Sequence, residues 1–182
     1  TRLLSGTALP RTTEAPQNLS GGFQTGPFTH MLRERGLRFL NLDIGNPESE
    51  KAWSLDGWSE VSGVGIDCGR SLQKSSATVT YHGLFYTHFD YRWLALRLNN
   101  KQTLAGVTLH VAGRKLPLSP SLFQSGERQL WQIPFPEGLI AATSKFSLEI
   151  QAPRWFVTDI VLLGNRIENS HHKDVSSTSH KT

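Results

Sequence analysis

The stretch Tyr91–Leu118, YRWLALRLNNKQTLAGVTLHVAGRKLPL, constrains the fold more than any other part of the chain. Leu94, Leu96 and Leu98 alternate with Trp93, Ala95 and Arg97. Val107, Leu109 and Val111 alternate with Thr108 and His110. Side chains two apart on a strand share a face, so this spacing predicts strands with one buried and one wet face. Ala112-Gly113 falls where a hairpin must reverse, and glycine adopts the positive φ of such a turn without steric cost. Tyr91, Trp93 and Arg97 share the face opposite the leucines and are expected to point outward.

The rest of the chain reads the same way. Residues 1–26 are rich in Thr, Ser, Pro and Gly, which predicts a linker or loosely docked arm. Pro27–Arg35 predicts a short helix on a sheet edge, with Phe28, Met31 and Leu32 inward and Gly36 as its stop. Strands are expected at Leu37–Ile44, Leu72–Tyr81, Arg128–Phe135, Lys145–Ala152 and Trp155–Leu163, with a strand or irregular edge at Trp58–Val64. Asp56-Gly57 marks a turn. Residues 165–182 have no clear core position after Ile167 and are expected to be disordered. Turn signals every ~8–12 residues and the absence of alternating strand–helix units predict an all-β fold. The expectation is one antiparallel jelly-roll β-sandwich over 27–164, with a short N-terminal helix and disordered tails.

Composition removes several function classes. A 182-residue chain can hold a domain large enough to need no staple, and its single Cys68 allows no intrachain disulfide. No apolar run approaches the ~20 residues of a membrane span. The net charge is +4, but the Lys and Arg residues are scattered, apart from Arg33, Arg35 and Arg38 and the pair Arg114, Lys115. A nucleic-acid surface clusters them on one face, so no nucleic-acid partner is expected. There is no phosphate-cradling glycine loop, nucleophile elbow or CxxC pair.

Three pieces of the chain resemble the galactose-binding-domain-like jelly-roll modules, which include many carbohydrate-binding modules. The first is Asn41-Leu42-Asp43 followed by Leu55-Asp56-Gly57-Trp58. The second is Trp131-Gln132-Ile133-Pro134-Phe135-Pro136. The third is Phe146–Ile150 followed by Phe156-Val157-Thr158-Asp159-Ile160-Val161-Leu162. They span roughly residues 37–164 in the order such modules show. The resemblance implies a carbohydrate or glycan partner, further domains of a larger protein, and a location outside the cell or in its envelope. It also implies a structural calcium held by Asp43 and Asp159. Thr158 departs from that pattern, where many members carry a second acidic residue, so a metal-free domain stands beside the calcium reading.

Candidate chemistry falls into a few groups. Sugar rings stack their C–H faces on Trp and Tyr. Tyr91, Trp93 and Arg97, extended by Tyr86 and His88, are therefore the candidate glycan platform, against the plainer reading that such aromatics fill a core. His88-Phe89-Asp90 has the spacing of two ligands in jelly-roll iron enzymes, with His110 as the distal candidate. Glu127, Glu149, Asp90 and Asp159 are carboxylates on or near strands, without a catalytic signature. Cys68 has Arg70 nearby but no adjacent histidine. The leading expectation is a non-catalytic carbohydrate-binding accessory module with an exposed aromatic sheet face. The alternatives are a structural or protein-interaction sandwich, and a metal-dependent enzyme built on His88 and Asp90.

Overall fold

The computed structural model describes residues 28–83, 91–99, 103, 105–125, 127–140 and 143–166. They form two antiparallel sheets packed face to face in a jelly-roll β-sandwich. The strands in chain order are β1 (Leu37–Asp43), β2 (Trp53–Asp56), β3 (Arg70–Ser71), β4 (Ser76–Tyr81), β5 (Tyr91–Leu98), β6 (Thr108–Val111), β7 (Arg114–Lys115), β8 (Ser121–Ser125), β9 (Arg128–Pro134), β10 (Ser147–Gln151) and β11 (Phe156–Arg166). The six-stranded sheet runs β1-β11-β5-β9-β8, with β3 also paired to β11; the five-stranded sheet runs β2-β4-β10-β6-β7. The chain changes sheet at most of its connections, as a jelly roll requires.

Alternation decides which side of each strand is buried. Ala77 and Val79 on β4, Leu109 and Val111 on β6, and Leu148 and Ile150 on β10 meet Leu94, Leu96 and Leu98 between the sheets. Trp131 and Trp155 pack there with ring centroids 5.9 Å apart, and Trp53 lies 5.0 Å from Tyr81. All five tryptophans are 9% exposed or less. β6 and β7 form the expected hairpin through Ala112 (φ 51) and Gly113 (φ 80). Gly57 follows β2 at φ +84, where an added Cβ would sit 2.6 Å from the Ser76 carbonyl oxygen, so the Asp56-Gly57 turn admits no side chain.

The helix α1 (Phe28–Glu34) buries Phe28, Met31 and Leu32. It was expected on a sheet edge, but it lies on a sheet face. Its apolar side joins Leu37, Trp93, Ala95, Leu130, Val161 and Leu163 in a second cluster outside the six-stranded sheet. A second helix, α2 (Pro47–Glu50), occupies the polar loop after β1 and is capped by Asn46. Of the segment Trp58–Val64, only the bridges Trp58–Leu72 and Ser62–Gly69 are strand-like.

Candidate functional site

The expected platform on β5 is not a surface. Leu94, Leu96 and Leu98 do face inward, but Tyr91, Trp93 and Arg97 are only 8%, 3% and 2% exposed. β5 is an interior strand of its sheet, between β11 and β9, and both of its faces are covered. Trp93 lies in the cluster closed by α1. Tyr91 lies in the other cluster, between the sheets. The register against β11 slips by one residue between Trp93 and Tyr91, and such a bulge at Arg92 turns Tyr91 to the opposite face. Tyr86 and His88, with Asp90, lie outside the described residues.

Arg97 is the centre of a buried polar network rather than a sugar contact. Its Nη1 donates to the Ile66 carbonyl oxygen at 2.6 Å and to Thr158 Oγ1 at 2.9 Å. The same nitrogen is 3.4 Å from Asp159 Oδ2, and Nη2 is 3.6 Å from Asp67 Oδ1. Asp67 also accepts a two-pronged pair from Arg128, both contacts at 2.8 Å. That hydrogen-bonded pairing holds the Asp67 carboxyl below its ordinary range. A second slip in the β5–β11 register, at Thr158, brings Thr158 and Asp159 together onto Arg97. Thr158 Oγ1 lies 3.0 Å from Asp159 Oδ2 and 3.1 Å from the Arg97 carbonyl oxygen. Burial pushes the Asp159 carboxyl up to about 7, because the attraction of Arg97 offsets only part of the desolvation and Asp43 adds like charge.

Asp43 and Asp159 stand directly opposite each other in the β1–β11 register. Their surroundings do not fit calcium. The ion needs six to eight oxygen ligands. Asp159 is already engaged by a guanidinium and a hydroxyl, and Asp43 accepts from Asn46 Nδ2 at 3.2 Å. No group of three or more His, Cys, Asp or Glu side chains placed to hold a metal occurs among the described residues.

The outer face of the five-stranded sheet is different. Lateral pairing lines up one residue from each strand: Asp56 with Thr78, Thr78 with Glu149, Glu149 with His110, and His110 with Lys115. Each is exposed or half-exposed. Flanking this row are Ser54 and Thr80 on one side, and Ser76, Gln151 and Thr108 on the other. Side-chain contacts knit the face loosely. His110 Nδ1 is 3.7 Å from Glu149 Oε1, Ser76 Oγ is 3.4 Å from Glu149 Oε2, and Thr108 Oγ1 donates to Gln151 Oε1 at 3.1 Å. His82 Nε2 meets Ser54 Oγ at the edge. At one end of the face a shallow cleft of about 520 Å³ opens among Ser75, Ser76, Gly106, Gln151, Ala152 and Pro153. Volumes of roughly 300–1,000 Å³ suit small ligands.

This face presents carboxylates, hydroxyls, an amide, an imidazole and an ammonium side by side. It offers hydrogen bonds to a polyhydroxylated ligand, and no described aromatic ring lies in the row. Glu149 and His110 were picked out from sequence for separate roles; the structure makes them neighbours. Glu149 and Asp159 lie on different sheets, so those two carboxylates do not form a pair. Asp56, Thr78 and Lys115 were not singled out as ligand contacts, although the polar beats of SATVTY, VTLHV and FSLEIQ already placed the wet side of the sheet.

No family model and no curated protein matches the chain. Among solved structures, the chain is similar to a carbohydrate-binding module, TmCBM27, described for specific mannan recognition. The identity is 13%, over 70% of this chain and 99% of that one, with a TM-score of 0.37. At that score the likeness establishes neither family nor ligand. The sheet order and register of this chain carry its fold assignment.

Proposed function

We propose that this domain is a non-catalytic carbohydrate-binding module and that it binds glycan on the open side of the five-stranded sheet. The observation that carries the reading is the row Asp56–Thr78–Glu149–His110–Lys115, held in lateral register on a face that no described element covers. Adjacent strands are ~4.8 Å apart, so five residues abreast span about 19 Å, which suits an extended oligosaccharide better than a single compact ligand. Asp56 and Glu149 accept from sugar hydroxyls, while Lys115 and the Ser and Thr hydroxyls supply donors. The cleft by Ser76 and Gln151 receives one end of the chain of rings.

Without a stacking ring, binding rests on hydrogen bonds in competition with water, so the affinity is expected to be low, with Kd on the order of 0.1–1 mM. The galactose-binding-like resemblance and a place outside the cell or in its envelope belong to the same proposal.

The test is glycan-array screening followed by calorimetric titration of the best oligosaccharide. Asp56→Ala and Glu149→Ala are each expected to weaken binding about tenfold or more, as loss of a hydrogen bond to a charged group does, with unchanged thermal melting. Failure of every glycan to bind, or wild-type affinity in both variants, sinks the proposal.

A further inference from the structure

The row on the five-stranded sheet is not evenly charged. Asp56 stands on β2 at one end, Lys115 on β7 at the other, and Glu149 and His110 lie between them. Both carboxylates therefore sit on the β2 side of His110, and the ammonium sits beyond it. Lys115 is exposed, and among the described residues no carboxylate comes within ion-pair reach of it. Glu149, the nearest acid of the row, is engaged elsewhere: its Oε1 is 3.7 Å from His110 Nδ1, and its Oε2 accepts from Ser76 Oγ at 3.4 Å. Two strand spacings, about 10 Å, separate Glu149 from Lys115. That exceeds the ~8 Å over which physiological salt screens exposed charges, so Glu149 does little to compensate Lys115. Arg114 is also exposed, but it stands opposite the inward Val111, so its parity is that of the other face.

We propose that the β6–β7 end of this face is a subsite for an acidic sugar, and that the preferred ligand is a neutral oligosaccharide ending in one uronate, seated over Lys115. The inference rests on the glycan-binding reading and adds to it the charge and direction of the ligand. A single carboxylate over Lys115 supplies the counter-charge that the row does not, and it receives a charge-assisted hydrogen bond from Nζ. A carboxylate concentrates its charge on two oxygens where a sulfate spreads it over three, so a lysine, a compact point charge, favours the carboxylate. His110, directly opposite Lys115, offers its imidazole to the hydroxyls of the same ring. The remaining rings run toward β2, where Glu149 and Asp56 accept from neutral hydroxyls. Those two carboxylates also select against a polyanion: a chain charged on every ring lays its anions against Glu149 and Asp56, and like charges repel. Charge order along the row thus separates one terminal acid from a wholly neutral glycan and from a uniformly acidic one.

The experiment offers the full chain an array of neutral oligosaccharides, each printed beside forms whose free end carries one uronate, the methyl ester of that uronate, or one sulfate, and beside a form with uronate on every ring. The best uronate and ester pair is then titrated by calorimetry. The uronate-ended form is expected to bind about threefold or more tighter than its ester, the range of an exposed ion pair. Lys115→Gln is expected to bring that ratio close to one. Arg114→Gln, which removes the same charge from the other parity, is expected to leave it in place. An ester that binds as tightly as the acid overturns the inference, as does a sulfated or fully acidic form that binds tightest. A ratio that survives Lys115→Gln, or that Arg114→Gln lowers as much, also overturns it. Should Lys115→Gln melt early, the wild-type ratio decides. Binding of neutral forms alone removes this inference and leaves glycan binding standing, whereas no binding by any form removes both.

Discussion

Asp159 pays an unusual electrostatic cost for a strand residue. Its carboxyl is buried on a sheet face, and one guanidinium shared with Asp67 and the Ile66 carbonyl does not restore what water supplied. The folded value of about 7 lies above the ordinary 3.8. The folded state therefore holds this proton while the unfolded chain releases it. The stability that the group contributes is complete below about 3.8 and is lost as pH rises toward about 7. Urea unfolding of wild type and Asp159→Asn, at steps from pH 4 to 8, should show wild type losing stability relative to the variant across that window. A difference that does not change with pH contradicts this. Gln132 gives a second residue-scale expectation. It is fully buried, and neither its amide nitrogen nor its amide oxygen finds a hydrogen-bond partner among the described residues. An unsatisfied buried polar group costs about 1–3 kcal/mol. Gln132→Met keeps the volume and removes that cost, so its urea midpoint should rise; a fall would mean that the amide is satisfied in solution.

At the scale of elements, the packing of α1 on the six-stranded sheet explains what sequence reading got right and wrong. The spacing of Phe28, Met31 and Leu32 announced a helix with one apolar side, and Leu94, Leu96 and Leu98 announced the inward face of β5. Both were legible because period alone fixes them. Period does not say what covers the opposite face, and there the reading failed. The apolar stripe of α1 needed a surface, and the row Trp93–Ala95 supplied it. The strand itself held the warning, since YRWLALRL is apolar at both parities, the mark of a strand buried on both sides. Trp93→Ala and Leu32→Ala should therefore behave as core deletions. Losses of about 3–5 and 2–5 kcal/mol, respectively, are expected in chemical unfolding. A loss below about 0.5 kcal/mol for Trp93→Ala is what an exposed platform residue would show instead.

For the whole molecule, the alternation of jelly-roll strands was readable, but the assignment of strands to sheets was not. β5 and β6 follow each other in sequence yet lie in different sheets, and β8, just after Pro120, and α2, which begins at Pro47, fall in stretches where no element was expected. The site followed the same logic. Its residues come from five strands spread over residues 54–151, and only the lateral register brings Asp56, Glu149 and Lys115 into one row. Local pattern marked each as wet; topology made them a face. One sheet thus has its outer side occupied by a helix and a buried polar network, while no described element covers the outer side of the other. The most direct measurement is amide chemical-shift mapping of the isotope-labelled chain during titration with the best-binding oligosaccharide. The account expects the shifts to concentrate on Asp56, Thr78, Glu149, His110, Lys115 and the cleft around Gln151. Shifts concentrated instead on Trp93, Arg97 and the α1 side of the molecule would contradict it.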